Sequence, residues 1–409
     1  MTASSPNRPS SRKAWWLTAA LAALLLVLTT RNAVAEEPSA TEYPRIELMT
    51  MGIGSLMWER HGHIALCVAY ADSRRDRCYN YGVANFADPL GMGTAFFRGN
   101  KSFWVDAVRR DDMMFVYTRA DRTVWSQLIP LTQSQKRQVI AKLRFDVKKE
   151  NRYYAYDHFF DNCTTRVRDI LDDAMGGAIK AIDKPMGDAT IRDYARKGFL
   201  GMQWALVVTD LFMGRVTDQV PTFWERMYLP EYLRLAFETE FGVKPVVLYQ
   251  RKGPPHPEDG PSGRFGFFLL ILLLTAPAWA TRLWGRFERL GLTVAVFPPA
   301  LLGLFIWICV VGSPVIYLRW TEMFVIFVPL DFAFMFSGRQ LVRRYAKFRV
   351  ASLLLVSLLL AVGLFEQPLF VALLWPLIPS AVVAFLPRKA ERIAAASASP
   401  APAKDSTEK

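Results

Sequence analysis

The sequence predicts an α+β domain that is exported and is followed by an α-helical membrane domain. Two observations predict the α+β domain. Short strand-like apolar segments alternate with turn residues, and apolar residues at helical spacing follow these segments. A third observation predicts the second part, since long, almost continuous apolar runs begin at Phe265. The chain has 409 residues, of which 52% are hydrophobic and 21% are charged. The concentration of apolar residues in the C-terminal part excludes a purely soluble protein.

The N-terminus has the three parts of a secretory signal peptide. A basic segment around Arg12 is followed by the apolar stretch 14–30 and by the small residues of an A-x-A site at 33–35. We expect residues 1–35 to be a signal peptide cut after Ala35. An uncleaved anchor is the alternative, and it leaves the next segment on the same side of the membrane.

Residues 36–263 are expected to form the exported domain. This range holds no window of the roughly 20 apolar residues that a membrane span needs. Its end is marked by a linker rich in proline and glycine at residues 252–263.

Two apolar segments on either side of the polar residues 71–77 predict a β-hairpin. If Cys67 lies opposite Cys78, Asn80 becomes the diagonal neighbour of His63 on the same face. Because the compartment is oxidising, we predict a disulfide between the two cysteines, with two buried thiols as the alternative.

Further strands are expected at residues 102–108, 113–118 and 123–129, which together with the hairpin predict an antiparallel sheet. A helix is expected next, because Thr132-Gln-Ser-Gln135 has the pattern of a capping box and apolar residues follow it at helical spacing.

A second helix is predicted to begin near Asn162, with Cys163 in its first turn on the buried face. A helix N-terminus favours the thiolate form of a cysteine. A nucleophilic cysteine would be expected at such a position. A lone buried cysteine is also a common core residue, and His63 and Asn80 taken singly are more often structural. Their joint order favours catalysis: a histidine on a strand, a polar neighbour on the next strand, and a cysteine that opens a helix.

His61 is the alternative to His63 as the general base. His61 shares the strand face of His63, but His63 leads into the apolar segment, and we expect it to be the histidine nearest Cys163. His158 lies in an aromatic patch and is expected to pack there. Arg166 and Arg168 are expected on a solvated helix face, with a contact to lipid phosphate as the alternative.

Five apolar runs predict five membrane spans, at residues 265–284, 291–312, 320–336, 350–365 and 368–386. Basic clusters follow the first, third and fifth runs, whereas the opposite connections hold only Arg319. The positive-inside rule therefore predicts an inner-membrane protein with its N-terminal domain in the periplasm and its C-terminus in the cytoplasm. Residues 264–388 would form the membrane domain and residues 389–409 a disordered tail. The net charge of +13 lies largely in these clusters, so nucleic acid is not an expected partner.

The ordered His, Asn and Cys resemble the circularly permuted papain-like thiol enzymes, of which the lecithin:retinol acyltransferase group is a branch that transfers acyl groups. More specifically, five segments look like the bacterial Lnb family of lipoprotein N-acyltransferases, which joins such a periplasmic domain to five transmembrane helices. These segments are Gly62-His63, Tyr79-Asn-Tyr-Gly82, Tyr154-Ala-Tyr156, Phe160–Asp169 and Met227–Leu233.

The resemblance implies that a phospholipid donates an acyl chain and that the N-terminal cysteine of a lipoprotein accepts it. Cys163 would be the nucleophile, His63 the general base and Asn80 the residue that orients His63. Backbone N–H groups at the helix start, including that of Cys163, would stabilise the oxyanion. No nucleotide, metal or haem signature is present, so no cofactor is expected.

Two other function classes remain open at this stage. A papain-like cysteine peptidase or amidase of the cell envelope would use the same residues with water as the acceptor. A non-catalytic envelope scaffold would use Cys163 as a structural residue. Five spans favour the acyltransferase, because a lipid donor must leave the bilayer whereas a soluble substrate would need only a single tether.

Overall fold

The computed structural model describes residue 39, residues 41–336 and residues 340–398. The predicted signal peptide at residues 1–35 lies outside these described residues. Within them, a seven-stranded sheet with its helices comes first along the chain, and a group of long apolar helices follows.

The sheet is antiparallel throughout, with strand order β6-β4-β3-β2-β1-β5-β7. β2 therefore lies at its centre, between β1 and β3. The strands are β1 Arg45–Met51, β2 His63–Ala69, β3 Arg77–Val83, β4 Phe103–Arg109, β5 Val124–Leu128, β6 Tyr153–Tyr154 and β7 Val246–Tyr249.

Eight helices accompany the sheet in the described part of the chain. They are α1 Pro89–Phe97, α2 Arg110–Arg119, α3 Gln133–Asp146, α4 Cys163–Ala174, α5 Ile191–Gly198, α6 Gln203–Phe212, α7 Phe223–Arg226 and α8 Pro230–Thr239. The predicted capping box is confirmed at the start of α3, where Thr132 Oγ1 accepts from the N–H of Gln135 and the Gln135 side chain accepts from the N–H of Thr132.

The predicted hairpin, register and disulfide are confirmed. Cys67 pairs with Cys78 across β2 and β3, their Cα atoms are 4.0 Å apart, and their sulfurs are bonded. Alternate residues of β2 face opposite sides of the sheet. Leu66 packs into the core under α3, α4 and α8, whereas Cys67 packs with Met113 of α2 on the other side.

The strand predicted at residues 113–118 is wrong, because these residues belong to helix α2. Phe115 and Val116 suggested a strand through their β propensity, yet both are exposed, and only Met113 is buried. The acidic residues Asp111 and Asp112 favour a helix start at this position.

Among the described residues, three helices are long and apolar enough to cross a membrane: residues 264–284, 288–312 and 370–394. The first two match predicted spans and are α9 Arg264–Trp284 and α10 Glu288–Gly312. These helices support the predicted membrane domain, whereas the count of five spans is not confirmed. The helices that follow are α11 Ile316–Arg319, α12 Met323–Ile326, α13 Gln340–Ala361, α14 Phe370–Phe385 and α15 Lys389–Ala398.

The span predicted at residues 320–336 is not a continuous helix. This segment is broken into α12 and a 3-10 helix at Pro329–Phe336. The irregular backbone is satisfied from within the protein, because Arg349 donates to the carbonyl of Ile326 at 2.6 Å and to both carboxylate oxygens of Asp331 at 2.8 and 2.9 Å. The long-range pairing to Arg349 replaces a continuous helix.

The sequence predicts a disordered C-terminal tail from residue 389. Its described part is the helix α15, which extends to Ala398. Residues 399–409 lie outside the described residues, so the prediction stays open for them.

The sheet domain and the membrane domain are packed against each other. Ser313, directly after α10, donates to the carbonyl of Phe97 at the end of α1 at 2.7 Å. The ring of Phe159 packs edge-to-face on Tyr317 of the membrane domain, with centroids 4.9 Å apart. The elements around Cys163 therefore lie beside one end of a membrane helix.

Candidate active site

The N-terminus of α4 is fixed by the side chain of Asn162. Its Oδ1 accepts from the N–H groups of Thr164 and Thr165 at 2.7 and 2.9 Å, and its Nδ2 donates to the carbonyls of His158 and Tyr228 at 2.7 and 2.9 Å. A cap held on both sides sets the residue at which the helix begins. As predicted, Cys163 is the first residue of this helix, and it is buried.

A gap between β2 and β3 gives Cys163 its place. The strands pair only from Leu66 to Val68, and the pairing of β3 with β4 is irregular between Asn80 and Val83. Within this bend Gly82 has a φ of 83°, and a Cβ there would lie 3.6 Å from the Cβ of Cys163. A glycine therefore lets the strand turn away and lets the start of α4 come close.

His63 and Asn80 meet across the same gap, as the register predicted. His63 Nε2 lies 3.2 Å from Asn80 Oδ1, and Asn80 Nδ2 donates to the carbonyl of Cys78 at 3.3 Å. The second bond fixes the orientation of the amide, so Oδ1 is the atom that faces His63 and Nε2 carries the proton. Nδ1 of His63 is then the unprotonated nitrogen that can accept a proton.

The structure brings Cys163, His63 and Asn80 together on the wall of one cavity of about 610 Å³. His63 faces the α2 side of the sheet, where its ring stacks on that of Tyr117 with centroids 6.1 Å apart. Cys163 belongs to α4, which packs on the other side of the sheet. The gap between β2 and β3 joins the two sides. Much of the remaining wall is apolar, with several aromatic rings.

His61 and His158 line the same cavity but have other contacts. The Nε2 of His61 lies 2.9 Å from the carbonyl of Ala195, so this nitrogen carries a proton that it donates. The rings of His61 and His158 pack edge-to-face at 4.8 Å, and His158 also packs on Phe159 at 4.9 Å. The packing role predicted for His158 agrees with these contacts. The predicted order of the histidines around the sulfur stays a prediction.

Burial dominates the electrostatics of the site. Burial and the positive charge of Arg122 lower the pKa of His63 to about 4, against the opposing effect of its bond to Asn80. Burial raises the pKa of the Cys163 thiol, although the hydroxyl of Thr164 and the N–H groups of Ile64 and Thr164 act in the other direction. The thiolate expected from the sequence is therefore not the resting form of Cys163, because the effect of burial on the pKa of the thiol outweighs the effect of the helix N-terminus. At neutral pH the pair is a thiol and a neutral imidazole.

Arg122 is a charged residue of the site that the sequence analysis missed. It is buried, its Nε donates to the carbonyl of Gly52 at 2.8 Å, and its Nη1 lies 3.5 Å from a carboxylate oxygen of Glu59. Its guanidinium lies 4.9 Å from the centre of the Tyr117 ring, and its Nη2 has no hydrogen-bond partner among the described residues. Nothing local in the sequence marks it, because its position depends on segments distant along the chain.

Arg166 and Arg168 lie away from the cavity. Arg166 donates to both carboxylate oxygens of Asp161 at 2.6 and 2.7 Å, and Arg168 stacks 3.7 Å from the Trp224 ring centre. Neither arginine lines the cavity that contains Cys163. In the described ranges, no group of three or more His, Cys, Asp or Glu side chains is arranged to hold a metal ion.

The part of the chain that contains this site matches a known protein family. Residues 35–197 match the family model of the Lnb N-terminal periplasmic domain. These residues are an Lnb domain. The expected resemblance to the Lnb family is thereby confirmed over these residues. No curated protein and no solved structure matches the chain.

The match extends from before β1 into α5, so the Lnb domain contains Cys163, His63 and Asn80. Together with the three apolar helices, it identifies a membrane protein whose N-terminal domain is periplasmic. The inner membrane and a cytoplasmic C-terminus remain predictions from the basic clusters.

Proposed function

We propose that this chain is a membrane-anchored periplasmic thiol acyltransferase. It would move an acyl chain from a phospholipid to the α-amine of the N-terminal cysteine of a lipoprotein, through a thioester on Cys163. One observation carries the proposal: within an Lnb domain, a helix-opening cysteine and a hydrogen-bonded His63–Asn80 pair line one cavity, beside a membrane helix. The permuted papain-like architecture predicted for the domain belongs to the same proposal.

In the first step, Nδ1 of His63 takes the proton of the Cys163 thiol as the sulfur attacks the ester carbonyl carbon. The negative charge that forms on the carbonyl oxygen is stabilised by the backbone N–H of Cys163, because the N–H groups of Thr164 and Thr165 already donate to Asn162. The C–O ester bond then breaks, and His63 returns its proton to the departing alkoxide. The products are an acyl thioester on Cys163 and a lysophospholipid.

In the second step, the neutral α-amine of the acceptor attacks the thioester carbonyl. His63 takes a proton from the attacking amine, the C–S bond breaks, and the proton passes to the sulfur. An amide forms and the thiol is restored, so no oxidant, reductant or nucleotide is consumed. The neutral resting imidazole is the form that both steps need, which agrees with the lowered pKa of His63.

The test uses the full-length protein in liposomes that contain a phospholipid with a labelled acyl chain. Mass spectrometry should find the acyl group on Cys163 and, after addition of a diacylglyceryl-cysteine peptide, as an amide on that peptide. Cys163→Ala should lose both products, whereas Cys309→Ala, which changes the other free cysteine in the described residues, should keep them. Release of free fatty acid without amide formation would show a hydrolase instead. If the acyl group never reaches Cys163, the thioester mechanism is wrong.

A further inference from the structure

Six exposed apolar side chains lie on segments of the chain that also contribute residues to the cavity wall, and we name this set the apolar rim. It consists of Met57, Trp58, Phe86, Leu90, Phe115 and Val116. Four of the six, Met57, Trp58, Phe86 and Val116, also line the cavity that contains Cys163. The rim is therefore continuous with the wall of the candidate active site.

The rim exposes more apolar side-chain surface than is usual where a protein contacts only water. Phe115 and Val116 are 65% and 59% exposed although they are neighbours on α2, and Leu90 is 83% exposed. Trp58 and Phe86 stack on each other with centroids 5.2 Å apart, which holds two separate loops together at the mouth. Large exposed apolar side chains gathered beside a cavity are typical of a contact with a partner or a membrane.

The position of α1 places the rim close to the membrane domain. Leu90 lies at the start of this helix and Phe97 at its end, about 10 Å further along the helix axis. The ring of Phe97 packs edge-to-face on Phe305 of α10 at 5.3 Å, and its carbonyl accepts a hydrogen bond from Ser313. One helix thus connects the rim to the end of a helix that is apolar enough to span a membrane.

A second part of the cavity wall is also next to a contact with the membrane domain. His158 lines the cavity, and the next residue, Phe159, packs on Tyr317. The cavity therefore has contacts to the membrane domain on two sides. Beside the rim, the guanidinium of Arg119 lies 5.6 Å from the centre of the Phe115 ring, an arrangement that suits the level of lipid phosphates.

We propose that the apolar rim inserts into the outer leaflet of the membrane that the chain spans, so that lipid acyl chains cover it. The connection of the rim to the membrane domain through α1 favours lipid over a protein partner as the occupant. The membrane contact stands without acyl transfer. The path that it implies, in which an acyl chain crosses the rim to reach Cys163, rests on the proposed function.

The experiment places the photoreactive residue benzoylphenylalanine at position 115 of the full-length protein in phosphatidylethanolamine and phosphatidylglycerol liposomes. The matched control carries it at Phe145, which is 52% exposed on α3 and lies outside the cavity. After irradiation, position 115 should be joined to phospholipid about tenfold more than position 145. Equal labelling at the two positions would overturn the proposal, and so would a cross-linked dimer or a label on another protein in place of lipid.

A second measurement separates this inference from the proposed function. Phe115→Glu should slow thioester formation from a liposomal phospholipid about tenfold, because a charge would enter the lipid surface, whereas Phe145→Glu should leave the rate unchanged. A water-soluble short-chain phospholipid needs no membrane contact and should react equally with both variants. Lipid cross-linking at position 115 in a protein that never forms a thioester would refute the acyltransferase and leave the membrane contact standing. Thioester formation without selective cross-linking would refute the membrane contact and leave the acyltransferase standing.

Discussion

Asn80 accepts a hydrogen bond from Nε2 of His63 at 3.2 Å across the gap between two neighbouring strands. The same amide donates to the carbonyl of Cys78, the residue that forms the disulfide with Cys67. The disulfide thus anchors the strand segment that orients the histidine. This chain of contacts makes Asn80 a positioning residue, because it acts on the reacting sulfur only through His63.

Asn80→Ala should lower the rate of Cys163 acylation about fivefold, since one hydrogen bond of about 1 kcal/mol no longer orients the ring. Asn80→Asp should restore the orientation and raise the pKa of His63, because a carboxylate stabilises the charged imidazolium. The measurement is the pH dependence of thioester formation in both variants. A wild-type rate and profile in Asn80→Ala would remove this residue from the mechanism.

The resting state of the nucleophile gives a prediction that needs no lipid. Burial raises the pKa of the Cys163 thiol above the ordinary cysteine value near 9. Alkylation of this thiol by iodoacetamide should therefore be slow at pH 7 and should accelerate as the pH rises above 9. The rate is measured by mass spectrometry of the full-length protein from pH 6 to about 10. A cysteine already at its maximal rate at pH 7 would show a preformed thiolate and contradict the neutral pair.

Local pattern was enough to predict the hairpin, the disulfide and the start of α4. Each of these depends on residues close in sequence, such as the Cys67–Cys78 pair or the capping residue Asn162. The strand β1 at Arg45–Met51 was not predicted, although it pairs with both β2 and β5. Its place between two other strands is a long-range property that its own residues do not encode.

The errors have the same physical origin. Residues 113–118 have strand-forming side chains, but α2 presents them to the outside of the domain, so the sequence pattern pointed to the wrong element. The segment around Pro329 looked like a span because its composition is apolar, and its break depends on Arg349 reaching Asp331. Arg122 has no motif at all, because Gly52, Glu59 and Tyr117 surround it only after folding.

Arg122 should control the acid limit of the reaction. Its positive charge disfavours the imidazolium form and contributes to the lowered pKa of His63, so Arg122→Gln should raise that pKa. His63 would then become protonated at a higher pH, and thioester formation would be lost earlier as the pH falls. Arg168→Gln, which also removes a buried arginine but lies outside the cavity, should leave the acid limit near pH 4.

The readout for Arg122 is the position of the acid limit and not the rate alone, because a disturbed fold would lower the rate at every pH without moving the limit. Arg122→Lys keeps the charge and should keep the limit near that of the unchanged protein. If the limit of Arg122→Gln also stays in place, the charge of Arg122 does not act on His63.

The choice between His63 and His61 is the sharpest test of the site. Both line the cavity, but His61 uses its Nε2 to donate to the carbonyl of Ala195 and lies against Gly198, where an added Cβ would be 2.6 Å from its ring. His63 is bonded to Asn80 through Nε2, which leaves Nδ1 to accept the thiol proton. His63→Gln should therefore lower thioester formation about 100-fold or more, the scale of a lost general base.

His61→Gln keeps a side-chain donor for the carbonyl of Ala195, so it should retain most of the activity and lose mainly stability, read as a lower Tm. The two variants should also differ in pH dependence. The acid limit set by His63 should disappear in His63→Gln, because the titrating base is gone, and should persist in His61→Gln. A loss of activity and of the acid limit in His61→Gln, with both retained in His63→Gln, would assign the base to His61. The gap between β2 and β3 would then serve only to admit substrate to Cys163, and the bond from His63 to Asn80 would be structural.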